Sequence, residues 1–200
     1  MDNNGIQKVY IDLIHYPLKV LGPDVRVGVW FQGCTLGCKE CISQHTWEQT
    51  EDKLYDINDI GEKLSSFQCR KLTISGGEAF QQPEALYNLL IMIKEDFDDI
   101  LVYSGYTYEY LKNHFPKILS LIDVLIDGVF MNNLPTNRRY KGSSNQKMYI
   151  FNANKLASYE LFSKETDRIM QLHEKEDQVY LLGIPDINDT KKIQQILNGE

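Results

Sequence analysis

Four short apolar runs, each stopped by a glycine-containing loop, constrain this chain more tightly than any other feature. Val27–Gln32 runs into Gly33, Lys71–Ser75 into Gly76-Gly77, Ile100–Ser104 into Gly105, and Asp123–Asp127 into Gly128. We read the first of these runs as the first strand. Between the runs, Asp56 is set to cap a helix whose apolar positions Ile57, Ile60 and Leu64 keep helical spacing up to Ser65-Ser66. Pro83, a residue favoured at the first helical position, opens a second helix with Leu86, Leu89, Leu90 and Ile93 on one face. Thr107 caps a third, through Tyr110 and Leu111, that breaks at Pro116. Strands alternating with helices need right-handed crossovers, and so imply an α/β fold on a parallel sheet.

After Gly128 the regularity weakens. A polar loop, rich in Asn and Ser between Asn132 and Gln146, leads to a short strand at Met148–Phe151. Arg168–His173 and Gln178–Gly183 flank Glu174–Asp177 as a hairpin, and Thr190–Leu197 reads as a closing helix. Two hundred residues suit one domain, since domains run to roughly 100–200 residues. Residues 1–152 are expected to form its core, and 153–200 a hairpin and helix extension packed on the same domain.

The formal net charge of -7 would repel a nucleic-acid backbone or an anionic membrane, so neither is an expected partner. No apolar run approaches the roughly 20 residues of a membrane span, and Met1-Asp2-Asn3-Asn4-Gly5 lacks the basic and apolar regions of a leader. A cytoplasmic location is expected. In that reducing compartment a cysteine cluster is more often a metal set than a disulfide pair, and three of the four cysteines fall within eight residues.

In parallel α/β sheets ligands sit beyond the carboxyl ends of the strands, where loops and helix N-termini offer free N–H groups. Here those ends carry the cysteine segment, Ser75-Gly76-Gly77-Glu78, Ser104-Gly105-Tyr106 and Asp127-Gly128. Cys34, Cys38 and Cys41 have the spacing C-x3-C-x2-C, and their soft thiolates suit an iron–sulfur cluster or zinc. Three ligands on a [4Fe–4S] cube leave one iron open to a substrate. Cys69 precedes the second run, at the far end of the sheet, and reads as a small buried apolar residue. Zinc is the alternative, with His45 completing a Cys3His set. Gly76-Gly77-Glu78 allows close backbone approach and offers a carboxylate for an ammonium group.

These residues resemble the radical S-adenosylmethionine superfamily, whose C-x3-C-x2-C cysteines hold a [4Fe–4S] cluster with one open iron. Gly22-Pro23-Asp24-Val25-Arg26, Phe31-Gln32-Gly33-Cys34 and Thr46-Trp47 look like its glycyl-radical-enzyme activases. Tyr103-Ser104-Gly105-Tyr106-Thr107, Asp127-Gly128-Val129-Phe130 and Gly142-Ser143-Ser144-Asn145-Gln146 resemble, among those, the activators of anaerobic (class III) ribonucleotide reductase. The resemblance covers about Gly22 to Gln146. It implies an incomplete parallel (βα)6 partial barrel, reduction of the cluster by a flavodoxin- or ferredoxin-type donor, and cleavage of S-adenosylmethionine to a 5′-deoxyadenosyl radical. That radical abstracts a hydrogen from a glycine of the partner, a glycyl radical enzyme. Carried over by motif, Cys34, Cys38 and Cys41 ligate the cluster, while Gly76, Gly77 and Glu78, with Ser75 beside them, hold the methionine end. Glu40 and Ile42 meet the adenine through their backbone, and Ser104 and Asp127 serve the ribose and methionine regions. The chain departs from the family at Ala79, where Pro is usual, at Ile42-Ser43-Gln44, and at Asp24, where Gly is usual. The alternative within the superfamily is a small-molecule or peptide substrate, as in 7-carboxy-7-deazaguanine synthases.

Arg138, Arg139, Lys141 and Lys147 form a basic patch, either solvated or facing an acidic partner. Trp47 is expected to pack the cysteine loop, and Trp30 to lie in the core. His15, His114 and His173 have no companions in sequence.

Overall fold

The computed structural model describes residues 7–175, 178–186 and Asp189. The strand read as first is second in the chain. It is preceded by β1 (Lys8–Leu18), which pairs antiparallel with β2 (Arg26–Phe31). β1 escapes a sequence reading because its polar Asp12 and His15 are buried, which spoils the apolar–polar alternation expected of a strand. Next come β3 (Leu54–Asp56), α1 (Ile57–Ser65), β4 (Lys71–Gly76), α2 (Pro83–Ile93) and β5 (Asp99–Tyr103). They are followed by α3 (Tyr108–His114), α4 (Pro116–Leu119), β6 (Val124–Asp127), β7 (Lys147–Ile150), α5 (Leu156–Lys164), β8 (Gln171–Lys175) and β9 (Gln178–Leu182). The helix signals hold in detail. The Asn58 N–H donates to Asp56 Oδ1 at 2.9 Å, Thr107 Oγ1 accepts from the Tyr110 N–H, and Pro83 and Pro116 each open a helix.

Among the described residues, seven strands form one sheet in the order β3-β1-β2-β4-β5-β6-β7. The run β2-β4-β5-β6 is parallel, β1 and β7 flank it antiparallel, and β3 pairs antiparallel with β1 at the outer edge. The α/β class is therefore observed, with a parallel run of four strands where the resemblance implied six. Alternate residues of each strand feed opposite faces. Val27, Val29, Leu72, Ile74, Ile100 and Val102 pack under α1 to α4 in the largest apolar cluster. Leu101, Val124 and Ile126 face the other way, onto Tyr159 and Phe162 of α5, and Leu13, Leu18 and Trp30 meet Leu182 of β9. The second face is thus covered from beyond residue 149, and the expected hairpin forms as β8-β9.

Beneath that cover lies a buried network at the amino ends of the strands. Arg26 is fully buried and pairs with both carboxylate oxygens of Asp99, at 3.0 and 2.9 Å. It donates further to the carbonyls of Leu72 and Asp99 and to Thr73 Oγ1, while the Tyr159 hydroxyl donates to Asp99 at 2.7 Å. Asp24, where the family has Gly, adopts a φ of 60°, one of the few settings in which Asp replaces Gly readily, and pairs with Lys71.

Three expectations change. Cys69 is half-buried rather than buried, its thiol turned to the carbonyls of Val25 and Lys71, because it sits in the turn before β4. His15 and His173 are companions after all, their rings 4.2 Å apart across β1 and β8. The basic patch makes contacts within the chain: Arg138 donates to the Lys164 carbonyl and Arg139 pairs with Glu165, both at the end of α5, while Lys141 donates to the carbonyls of Ser144 and Gln146 in its own loop. The proposed helix Thr190–Leu197 lies outside the described residues. No described helix is long and apolar enough to cross a membrane.

Candidate functional site

The cysteine loop leaves β2 and is closed at its base by two backbone bonds. The Gly33 N–H donates to the Thr46 carbonyl at 2.7 Å, and the Cys34 N–H to that of Trp47 at 3.0 Å. Within it, positive φ at Gly37 (62°) and Glu40 (61°) bends the chain sharply, and the Cys41 N–H closes a turn onto the Cys38 carbonyl. Gln81 fastens the loop from the side. The Thr35 N–H donates to its Oε1 at 3.0 Å, and its Nε2 donates to Thr35 Oγ1 and to the Tyr106 hydroxyl.

The loop after β4 is locked against this base. The Gly77 N–H donates to the Phe31 carbonyl at 2.8 Å, and the Glu78 N–H to that of Gly33 at 2.9 Å. A Cβ on Gly77 would stand 2.4 Å from the Gly33 carbonyl oxygen, and one on Gly76 2.4 Å from that of Phe31. Both glycines are therefore demanded by close backbone approach. Glu78 is almost fully buried, and its carboxylate is committed to the chain. It accepts from the Gly105 N–H at 2.7 Å, Ser104 Oγ at 3.0 Å and the Phe80 N–H at 3.2 Å. The side chain expected to face an ammonium group thus also braces the loops after β4 and β5. Burial pushes its carboxyl up to about 7, against the pull of those donors.

These loops enclose a cavity of about 270 Å³. Ten of the eleven residues singled out from the sequence line it: the three cysteines, Glu40, Ile42, Ser75, Gly76, Gly77, Glu78 and Ser104. Asp127 is not among the residues on its wall. Its carboxylate accepts from the Tyr108 N–H at the start of α3 and the Lys147 N–H at the start of β7. Burial pushes the Cys34 and Cys38 thiols up, and each is raised further by Glu78 and by the neighbouring cysteines. Among the described residues, no three His, Cys, Asp or Glu side chains are drawn together tightly enough to hold a metal ion as they stand. His45, the ligand a zinc reading needs, lies 3.4 Å from Asp12 on β1 and off the cavity wall.

Other residues of the wall are given no site role by the sequence. Tyr103 lines it, as do Pro135 and Thr136 of the polar loop, together with Arg168, Ile184, Pro185 and Asp186. Only the stop signal Gly183-Ile184-Pro185-Asp186 marked that last stretch as a loop, and nothing in its pattern says that it returns to the strand ends.

A model of the 4Fe-4S single cluster domain family matches residues 20–149. The anaerobic ribonucleoside-triphosphate reductase-activating protein of Enterobacteria phage T4 is 34% identical over 137 residues, covering 65% of this chain and 86% of that protein. Its namesake in Haemophilus influenzae is 32% identical, covering 70% and 97%. The pyruvate formate-lyase-activating enzyme of Clostridium pasteurianum is 31% identical over 52% of this chain and 45% of that enzyme. Among solved structures, QueE from Escherichia coli gives a TM-score of 0.46 at 16% identity, over 96% of this chain and 91% of that one. The chain is an enzyme of the radical S-adenosylmethionine class, whose cofactors are a [4Fe–4S] cluster and S-adenosylmethionine. Within that class it belongs to the family of the anaerobic ribonucleoside-triphosphate reductase-activating proteins. The residues fit both cofactors: three thiols of the soft donor type share one wall of a cavity close to the lower end of the roughly 300–1,000 Å³ of small-molecule sites.

Proposed function

We propose that this chain activates an anaerobic (class III) ribonucleoside-triphosphate reductase by installing a glycyl radical on it. The observation that carries the reading is that Cys34, Cys38, Cys41, the Gly76-Gly77 turn and Ser104 all line one cavity at the carboxyl ends of three neighbouring parallel strands. Cys34, Cys38 and Cys41 would hold the cluster in this reading, since all three line the cavity. Ser75, Gly76 and Gly77 offer their backbone to the methionine end, and Glu40 and Ile42 theirs to the adenine. Glu78 keeps Ser104 and Gly105 at a fixed distance from the cysteine loop. When bound, the cluster would supply one electron for reductive cleavage of S-adenosylmethionine, the chemistry by which a hydrogen atom would be taken from a glycine Cα of the partner. An external one-electron donor of the flavodoxin or ferredoxin type provides that electron, in an anaerobic cytoplasm.

The test is anaerobic reconstitution with iron and sulfide, followed by dithionite and S-adenosylmethionine. We expect 5′-deoxyadenosine by chromatography, and a glycyl-radical doublet by electron paramagnetic resonance when the reductase of the same source is added. Alanine at Cys34, Cys38 or Cys41 abolishes both. A protein that takes up zinc without sulfide and yields no 5′-deoxyadenosine defeats the reading.

A further inference from the structure

The family match ends at residue 149, yet the cavity does not. Arg168, Ile184, Pro185 and Asp186 all lie outside the match and all line the cavity. One guanidinium fastens this stretch to the polar loop after β6. Arg168 Nη1 donates to the Pro185 carbonyl, and its Nη2 donates to the carbonyls of Thr136 and Lys141, at 2.7 and 3.1 Å. Its Nε is buried with no hydrogen-bond partner among the described residues. Ile184 also packs against the Leu13, Trp30 and Leu182 cluster, so the wall is anchored to the covered face of the sheet.

We infer that residues Arg168 and Ile184–Asp186 form a substrate-side wall, particular to this chain's extension, that shapes the entrance for the partner's glycine segment and keeps water from the reacting centre. The inference rests on the function proposed above. A cavity of about 270 Å³ is small for a nucleoside cofactor and a second reactant together. Tyr103, Thr136 and Ile184 line the same cavity as the thiols, so they border whatever reactant shares it with the cofactor. Pro135 and Pro185 make that wall stiff. Arg168 acts as a positioning residue: always charged and donating in a fixed fork, it holds three carbonyls of two segments at once.

The experiment compares Arg168→Ala, Arg168→Lys and Ile184→Ala with the parent protein, each reconstituted anaerobically. Iron content and 5′-deoxyadenosine made without reductase should stay within about twofold of the parent, because neither residue is assigned to the cofactors. Glycyl radical formed per 5′-deoxyadenosine, with the reductase present, should fall about tenfold or more in Arg168→Ala, as expected of a misplaced reactant. The KM for the reductase should rise, and Arg168→Lys should restore part of the loss. An unchanged ratio in Arg168→Ala overturns the inference. So does a loss of cluster in Ile184→Ala, which would make the wall part of the cofactor site. If the parent protein cleaves S-adenosylmethionine but leaves the reductase without a radical, the choice of partner fails, and the wall is then judged by acrylamide quenching of Trp47, a cavity residue. Arg168→Ala raises that quenching if the wall closes the cavity, and equal quenching rejects it.

Discussion

Arg26 and Glu78 are both buried charges, set at opposite ends of the same parallel strands. Burial works against the charge of Arg26, but Asp99 outweighs it and holds the guanidinium above its ordinary value. Burial likewise opposes ionisation of Asp99, and Arg26 holds that carboxyl below the usual range. Glu78 has hydrogen-bond donors but no cation among the described residues, and there burial wins. The amino ends are thus closed by a neutralised network that serves the fold alone. At the carboxyl ends a carboxyl is held in a costly environment because it keeps two loops in place around a cavity. The uncompensated buried carboxyl therefore lies at the site, and the paired one at the opposite end of the sheet.

The largest test of this contrast is Arg26→Ala. It leaves Asp99 buried without its partner, and should lower stability by about 3–5 kcal/mol in urea unfolding. Arg26→Met with Asp99→Leu should recover much of that loss, since removing both charges removes the desolvation penalty. Equal destabilisation by the single and double variants would deny that the pair is a closed unit.

Glu78 should leave a pH signature instead. Its folded value of about 7 stands above the ordinary 4.5, so the folded state binds the proton more tightly than the unfolded chain. That contribution is complete below pH 4.5 and is lost as pH rises through 7, a change of about 3 kcal/mol at most. Thermal melts of the apoprotein should therefore show a falling midpoint between pH 5 and 7.5, and Glu78→Gln should flatten the slope. Asp12 and Asp99, both held below the ordinary carboxylate value, act in a separate window: their stabilisation is lost only as pH falls into the acid range.

Gly77→Ala probes the same end by sterics. Its Cβ would meet backbone at 2.4 Å, so the cysteine loop must move. Stability should drop by about 1–3 kcal/mol, while 5′-deoxyadenosine production falls by a larger factor, about a hundredfold, because displacement reaches the cavity directly. An activity loss no greater than the stability loss would place Gly77 with the scaffold.

Which of these ends could be read in advance follows from the same physics. Strand ends, caps and the thiol spacing are local signals, so β2, β4 to β7 and α1 to α3 were legible, as was the convergence of Cys34, Gly76-Gly77 and Ser104 on one edge. The role of Arg26 was not, because its partners Asp99, Thr73 and Tyr159 are 47 to 133 positions away in the chain. Glu78 and Asp127 were legible as carboxylates at strand ends but not as carboxylates already used, since their donors are backbone N–H groups that no residue type announces. The wall from Arg168 to Asp186 depends on how α5 and the hairpin pack, which local pattern does not determine.

The smallest effect expected is at Cys69, and it is the sharpest control on the contrast. Cys69 is the fourth cysteine, set on the turn before β4 at the closed end of the sheet. Its thiol only touches the Val25 and Lys71 carbonyls, at 3.5 and 3.6 Å, and the residue packs half-buried against the main core. Cys69→Ala should lower stability by about 1 kcal/mol or less, and leave iron content and 5′-deoxyadenosine yield at the parent level. Cys38→Ala at the open end should do the reverse, with nearly unchanged apoprotein stability and an empty site. Were loss of Cys69 to empty the site as fully as loss of Cys38, the two ends would not be separate, and a cluster held by three ligands at the carboxyl edge would have to be given up.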